Sequence, residues 1–574
     1  MIGIINGEVY DPQNGINGEV RDIWIEDGKI VSVSPPLIPP KLGGKTPAPA
    51  GLSNPAASPP GLGGTEGGRE AAEIIDAAGL VVMPGGVDIH SHIVGAKVNA
   101  GRKFRPEDHR DHVRARTALT RSGSGYTVPS TFMTGYGYAE MGYTTVMEAA
   151  TAPLVARHTH EELEDTPMLD MGAFITMGNN HFIMKCIRDG QREKARDYVA
   201  WLLGATKGYA IKIVNPGGVE NWKWGGNVGE LDDEVIGFGV TPRQIITTLA
   251  WINDELGLPH VPHIHGINLG QTGNVRTTVE TIEALEGHRA HFCHLQFLSY
   301  GGEPGKAIRS GAAELARAVN EHPNVTVDVG QVIFGEATTM TSDGPLQYRL
   351  HKLTGNKWLN DDVEGETGGG VVPMQYKRSN PINAVQWLIG LELFLLIDDP
   401  WRVFLTTDHP NAGPFFCYPQ VIKLLMDRDY RAEMLGGINR RARRSALLAE
   451  LDREYSLYDI AIVTRAGTAR ALGLKNKGHL GVGADADVTI YRKLDDKEAM
   501  FAKPHMVLKD GQVVVRDGRI VRERQGRTLY VAPPYDPGIE ADLRTHFDEC
   551  YTISYDNYPV APEYLSRSEV IPCA

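Results

Sequence analysis

The sequence predicts an α/β protein, a closed barrel of βα units with a small β domain assembled from both chain ends. Three observations carry this. From about residue 85 to about residue 470, short apolar strand-like runs alternate with helical stretches, the pattern of a mostly parallel sheet covered by helices. Short strands with turn signals fill the first thirty-odd residues and return after about Lys477. The 574 residues, 42% of them hydrophobic, favour closure of the sheet over an open one.

Composition narrows the function. A net charge of −13 argues against binding nucleic acid. Five scattered cysteines (Cys186, Cys293, Cys417, Cys550 and Cys573) form no CxxC pair, so neither a disulfide framework nor a thiolate zinc knuckle is expected. No apolar run reaches the roughly 18–20 residues of a membrane span; Ala384 to Ile397 reads as a buried helix. The first residues lack the basic leader of a signal peptide, and a reducing, cytoplasmic location is expected.

In chain order, residues 1–84 supply the first part of the β domain. Ile2 to Tyr10 and Val20 to Val33 read as strands, with a hairpin turn at Asp27-Gly28. Residues 35–68 hold 17 Pro or Gly among 34, too few bulky side chains to offset ordering entropy, and read as a flexible surface loop. Residues 85–470 form the barrel. Its strand candidates are the run up to His90, then Thr144–Met147, Tyr209–Val214, Val261–His265, Ala290–Phe297, Val325–Val329 and Val403–Thr407. Helices are expected over Arg192–Leu203 and Thr241–Leu256; the second opens with a Thr241 cap and first-turn Pro242. Residues 471–530 return to strands (Ala486–Tyr491, Met506–Lys509 and Gln512–Val515), and residues 531–574 form a C-terminal extension.

Chemistry concentrates at strand ends. His90 and His92 are two residues apart at the end of a β run, so both side chains leave on one face and supply half of a zinc site. Lys212 stands alone in an apolar strand, where burial lowers a lysine's pKa and frees its amine to react. Its alternatives are a buried salt bridge or a Schiff-base lysine. His263 and His265, and then His291 and His294, each offer one ligand and one core or rim residue. Asp408 ends the last strand run as a carboxylate.

The ordered series HxH, Lys, His, His, Asp is similar to the signature of the amidohydrolase superfamily. That resemblance implies a distorted TIM (β/α)8 barrel with a binuclear metal centre. His90 and His92 would lie on strand one, Lys212 as an N6-carboxylated bridge on strand four, His265 and His294 on strands five and six, and Asp408 on strand eight. Gly86–Ile93, Val98–Asp108, Val128–Tyr136, Ala205–Gly217 and Thr406–Phe415 further resemble the family of amidohydrolase components found in formylmethanofuran dehydrogenases and formyltransferase/hydrolase complexes. The Pro/Gly-rich insertion departs from the family pattern.

This second resemblance implies two Zn²⁺ ions and hydrolysis, or reversible formation, of the N-formyl amide of a furan-type C1 carrier. Formate and the free amine are the products, Asp408 is the proton shuttle, and the other components of the complex are the partners. Two alternatives stay open: a cyclic-amide amidohydrolase of dihydropyrimidinase or dihydroorotase type, and a structural component with a decayed site. The basic excess from Arg102 to Arg121 follows the first strand; Arg102, Arg105, Arg114 and Arg116, with Asn180 and Asn268, are candidates for holding the carrier and its anionic tail.

Overall fold

In the computed structural model, residues 1–32, 73–303, 306–363 and 367–574 are described. The Pro/Gly-rich run 35–68 lies outside them. Eight parallel strands build the barrel: β1 (Gly86–Ser91), β2 (Tyr143–Thr151), β3 (Asp170–Thr176), β4 (Ala210–Val214), β5 (His263–His265), β6 (Ala290–Phe292), β7 (Val325–Asp328) and β8 (Val403–Phe404). Each pairs with its sequence neighbour. Closure comes from beyond β8, where His92 N donates to His409 O at 2.7 Å and Thr406 Oγ1 donates to His90 O at 2.7 Å.

Every side chain of β2, β3 and β4 is buried, because helices cover the outside and side chains fill the inside. This explains the unbroken apolar run around Lys212. It also explains why β3 is absent from the sequence reading: Gly172 and Ala173 interrupt the β-branched signal, and Asp170 faces buried cations. Outside, helix Pro242–Glu255 begins with a complete capping box between Thr241 and Gln244. Helix Pro381–Leu396 is the buried helix expected from Ala384 to Ile397, and its Glu392 accepts from the Leu447 and Leu448 N–H groups and Ser310.

Nine strands from the two chain ends form one sheet, branched at Ile2–Asp11, which pairs with Ile16–Glu26 on one side and with Glu73–Asp76 and Leu80–Pro84 on the other. Strands Val488–Arg492, Met506–Lys509, Gln512–Arg516 and Arg519–Ile520 extend it. Ile4, Val9, Ile25, Val82, Val488 and Leu508 fill its own core. Two features have no counterpart in the sequence reading. An antiparallel sheet (Gly335–Thr341, Leu359–Val363, Thr367–Tyr376) is inserted between β7 and β8. The C-terminal region also returns to the barrel, Thr528–Tyr530 pairing with β3 at Met171 and with Ser568–Val570.

The amino ends of the barrel strands are tied to the end sheet by buried charges. Asp170 accepts from Lys477, from Lys509 Nζ at 2.5 Å and from Arg527 Nη2 at 3.0 Å, while Asp487 takes both lysines at 2.8 and 3.0 Å.

Candidate metal centre

Register places the polar side chains inside the barrel in layers. Lys212, His263 and His291 are Cα partners across β4, β5 and β6, and His265 lies one layer above, level with Val214. His90 and His92 exit β1 in the same way. His294 and Asp408 follow β6 and β8 in left-handed conformations, φ +37° and +47°, which turn the backbone over the barrel mouth. That close approach requires Gly330: a Cβ there would lie 2.7 Å from His294 Cβ and 3.4 Å from Asp408 Cβ.

The structure brings His90, His92, Lys212, His265, His294 and Asp408 together. Asp408 Oδ1 lies 2.9 Å from His90 Nε2 and 3.5 Å from His92 Nε2, three ligand atoms converging on one point. The His294 ring is 5.3 Å from that of His90 and 4.8 Å from that of His265. Lys212 Nζ donates to Cys293 Sγ at 3.0 Å, and Cys293 Sγ lies 3.2 Å from His294 Nε2. All six are buried.

Two atoms bear on whether a cation belongs here. Among the described residues, His90 Nε2 and His294 Nδ1 are buried without an aligned hydrogen-bond partner. Burial alone would push His90 down, but the carboxylates of Asp328 and Asp408 hold it well above the ordinary histidine value. Burial would likewise raise Asp408; His294 and His90 pull it well below the usual carboxylate range. The surroundings therefore favour positive charge between these groups. Converging imidazole nitrogens beside a carboxylate can supply it by holding a divalent metal.

Groups that the sequence reading passes over hold this set in place. Glu148 on β2 accepts from the Ile93 and Val94 N–H groups at 2.7 and 3.1 Å and lies 3.3 Å from His92 Nδ1, fixing that ring. Asp343, from the inserted segment, lies 3.1 Å from His265 Nε2 and also caps helix Gly344–Thr354. Asp328 on β7 lies 3.0 Å from His291 Nε2 and accepts from His294 N at 2.6 Å. His263, expected in the core or rim, lies 2.7 Å from His90 Nδ1. Its alternation with His265 is the available signal. Asp328 and Asp343 carry none, because neither stands in a motif that sets it apart from an ordinary surface carboxylate.

Most of the tail candidates are engaged within the fold. Arg102 pairs with Glu162 at 2.7 Å and donates to Pro129 O and Ile93 O. Arg105 is buried against Thr127, Thr338, Ala337 O and Glu336. Arg114 pairs with Glu140, three residues before β2 begins, and so sits toward the strand ends opposite the candidate centre. Arg116 is exposed, with no ion pair among the described residues. Asn180 caps helix His181–Arg188 through Ile183 N, and Asn268 donates to Gly229 O at 2.6 Å.

A model of the family described as "Amidohydrolase family" matches residues 73–521. Protein FwdA of Methanocaldococcus jannaschii is 47% identical over 99% of this chain and 98% of its own length. The A component of the formyltransferase/hydrolase complex Fhc of Methylorubrum extorquens is 38% identical, with 99% of each chain covered. The crystal structure of the formyltransferase/hydrolase complex FhcABCD from Methylorubrum extorquens, in complex with methylofuran, contains a chain that superposes with TM-score 0.89 at 36% identity over 100% of both chains. With the barrel, the strand-end histidines and full-length likeness in agreement, the chain belongs to the amidohydrolase family.

Proposed function

We propose that this chain is the metal-dependent formamide hydrolase of a formylmethanofuran dehydrogenase or formyltransferase/hydrolase assembly. It would cleave, or in reverse form, the N-formyl amide of a methanofuran- or methylofuran-type carrier. The observation that carries this is the end-to-end likeness to the A component of Fhc, in sequence and in the fold of a complex with methylofuran, combined with the converging His90, His92 and Asp408. No helix among the described residues is long and apolar enough to cross a membrane.

In this reading His90, His92, His265, His294 and Asp408, with Lys212 as its carbamate, would hold two divalent cations, and their donor set suits zinc. Metal held there would supply Lewis-acid polarisation of the formyl oxygen and would lower the pKa of water to about 7. The protein's own part is positional and acid–base. Asp408, its Oδ1 held by Asn411 Nδ2 at 2.9 Å and its backbone N–H by Thr406 Oγ1, takes the proton from the attacking water and returns it to the leaving amine. Glu148, Asp328 and Asp343 orient the imidazoles. Burial of the whole set strengthens each of these interactions.

The test is metal analysis of the purified chain together with formate release from an N-formyl furfurylamine compound. Bound divalent metal and stoichiometric formate are expected. A chain that binds no metal and releases no formate would end this reading, and turnover of a cyclic amide alone would replace it.

A further inference from the structure

Cys293 is a buried nucleophile inside the barrel for which the hydrolase reading has no role. It directly follows β6, between the inward-facing His291 and His294. Its backbone N–H and its thiol both donate to Ile264 O on β5, at 3.1 and 3.2 Å. From there the sulfur meets two groups of the candidate centre. Lys212 Nζ, on β4, donates to it at 3.0 Å, and His294 Nε2 lies 3.2 Å away.

Among the described residues the thiol is the one hydrogen-bond partner of Lys212 Nζ, and no carboxylate comes within ion-pairing distance of it. An ammonium buried in this way would be costly. Carbamate formation removes the cost. The lone pair of the neutral amine bonds the carbon of carbon dioxide, and one of the two N–H protons leaves to water. The product is an anion that keeps a single N–H. Resonance holds its nitrogen, that hydrogen and both oxygens in one plane, as in a peptide group. Whatever accepts the N–H therefore sets the direction of the oxygens.

We propose that Cys293 is a positioning residue: its sulfur accepts the single N–H of carbamylated Lys212 and so fixes the plane of the two oxygens offered to the metal centre. With its own S–H spent on Ile264 O, the sulfur faces Nζ as an acceptor. The proposal rests on the hydrolase reading above for the carbamate, and it adds how that group is oriented and retained.

The full chain, freed of metal by a chelator, is reloaded with Zn²⁺ at increasing ¹³C-bicarbonate, with carbamate read by NMR and bound metal by elemental analysis. Cys293→Ala, and Cys293→Val, which fills the space with carbon, should each need about tenfold more bicarbonate for half-loading, equivalent to about 1.4 kcal/mol. Cys293→Ser keeps an acceptor and should fall between them and the wild type. Excess bicarbonate should restore signal and metal to all three, which it would not do for a packing defect. Equal bicarbonate demand in the wild type and every variant, with the carbamate signal present, overturns the proposal. So does a metal deficit that bicarbonate cannot correct. The sulfur also lies with ring nitrogens of His90 and His263 within 4.8 Å, so direct ligation is the competing role. A thiolate-to-metal charge-transfer band in the cobalt-loaded wild type, lost in Cys293→Ala, would establish that role and overturn the proposal. A wild-type chain that loads metal without a carbamate signal would strike the carbamate from the hydrolase reading, and this proposal with it.

Discussion

His263 Nε2 lies 2.7 Å from His90 Nδ1, the first link of an imidazole chain that ends on a carbonyl. His263 Nδ1 is 3.1 Å from His260 Nε2, and His260 Nδ1 is 2.7 Å from Ala471 O. A carbonyl only accepts, so His260 Nδ1 donates, and His260 Nε2 must then accept from His263. By the same logic His263 Nε2 accepts from His90 Nδ1, which leaves His90 Nε2 free to meet a cation beside Asp408. Burial, foremost, pushes His260 down to about 3 and His263 well below the ordinary value, so both are neutral as the chain requires.

His263→Ala should therefore lower metal affinity or activity about 10- to 100-fold, as loss of a group that orients a ligand does. The sequence alone gives His263 the more tolerant role. Metal content after dialysis, read beside formate release, decides between them; unchanged values would return His263 to a packing role.

Lys212→Ala should abolish formate release and reduce bound metal, with partial rescue by a short carboxylic acid that fits the vacated space. Full activity in that variant would remove the carbamate. Loss without rescue would favour a purely structural role for the Lys212–Cys293 contact.

Asp408→Asn keeps shape but cannot take a proton. Turnover should fall by about 10²–10⁴ while at least one metal remains bound. Retention of most turnover would exclude the shuttle. Thermal unfolding serves as the control, because Asn411 and Thr406 can still hold an amide in place.

The Asp170 cluster makes stability depend on acid. Burial would raise Asp170, but Lys477, Lys509 and Arg527 hold it well below its ordinary value; Lys477 and Arg527, with Lys29, hold Asp485 low. A carboxylate depressed in the folded state contributes stability above its unfolded pKa, about 4, and loses it as pH falls through the folded value. Unfolding free energy should thus be level in this respect above about pH 5 and decline below about pH 4. Asp170→Asn leaves buried lysines uncompensated and should cost about 3–5 kcal/mol at neutral pH, with a weaker acid dependence, measured by urea unfolding. A variant as stable as the wild type would show that Asp485 and Asp487 suffice to balance the cluster.

Arg105→Ala should act on stability and not on substrate binding, since its guanidinium is spent on Thr127, Thr338 and the Ala337 carbonyl. The melting temperature should fall while KM for a tailed substrate stays within about twofold, a change of less than about 0.5 kcal/mol. A raised KM with an unchanged melting temperature would restore Arg105 to the substrate.

The local pattern determined the barrel class, the shared β domain of the two ends and the strand placement of His90, His92, Lys212, Asp408 and the pairs His263/His265 and His291/His294, within which the family resemblance chose His265 and His294. Strand period and the chemical oddity of a charge or imidazole in an apolar run are readable without knowing what packs against them. β3 escaped because Gly172 and Ala173 dilute its signal and Asp170 looks exposed until Lys477 and Lys509, over three hundred residues away, are brought to it. Asp328, Asp343 and Glu148 gain their meaning only from the imidazoles they face. The arginines show the same division most plainly. Count and spacing singled out Arg102 to Arg121, but pairing decides which cations are free. Tertiary structure gave Glu162, Glu336 and Glu140 to that stretch and left Arg378, Arg440, Arg441, Arg443 and Arg444 without a paired carboxylate among the described residues. A residue's type sets what its side chain can do; its partner, chosen by long-range packing, decides what it is left to do.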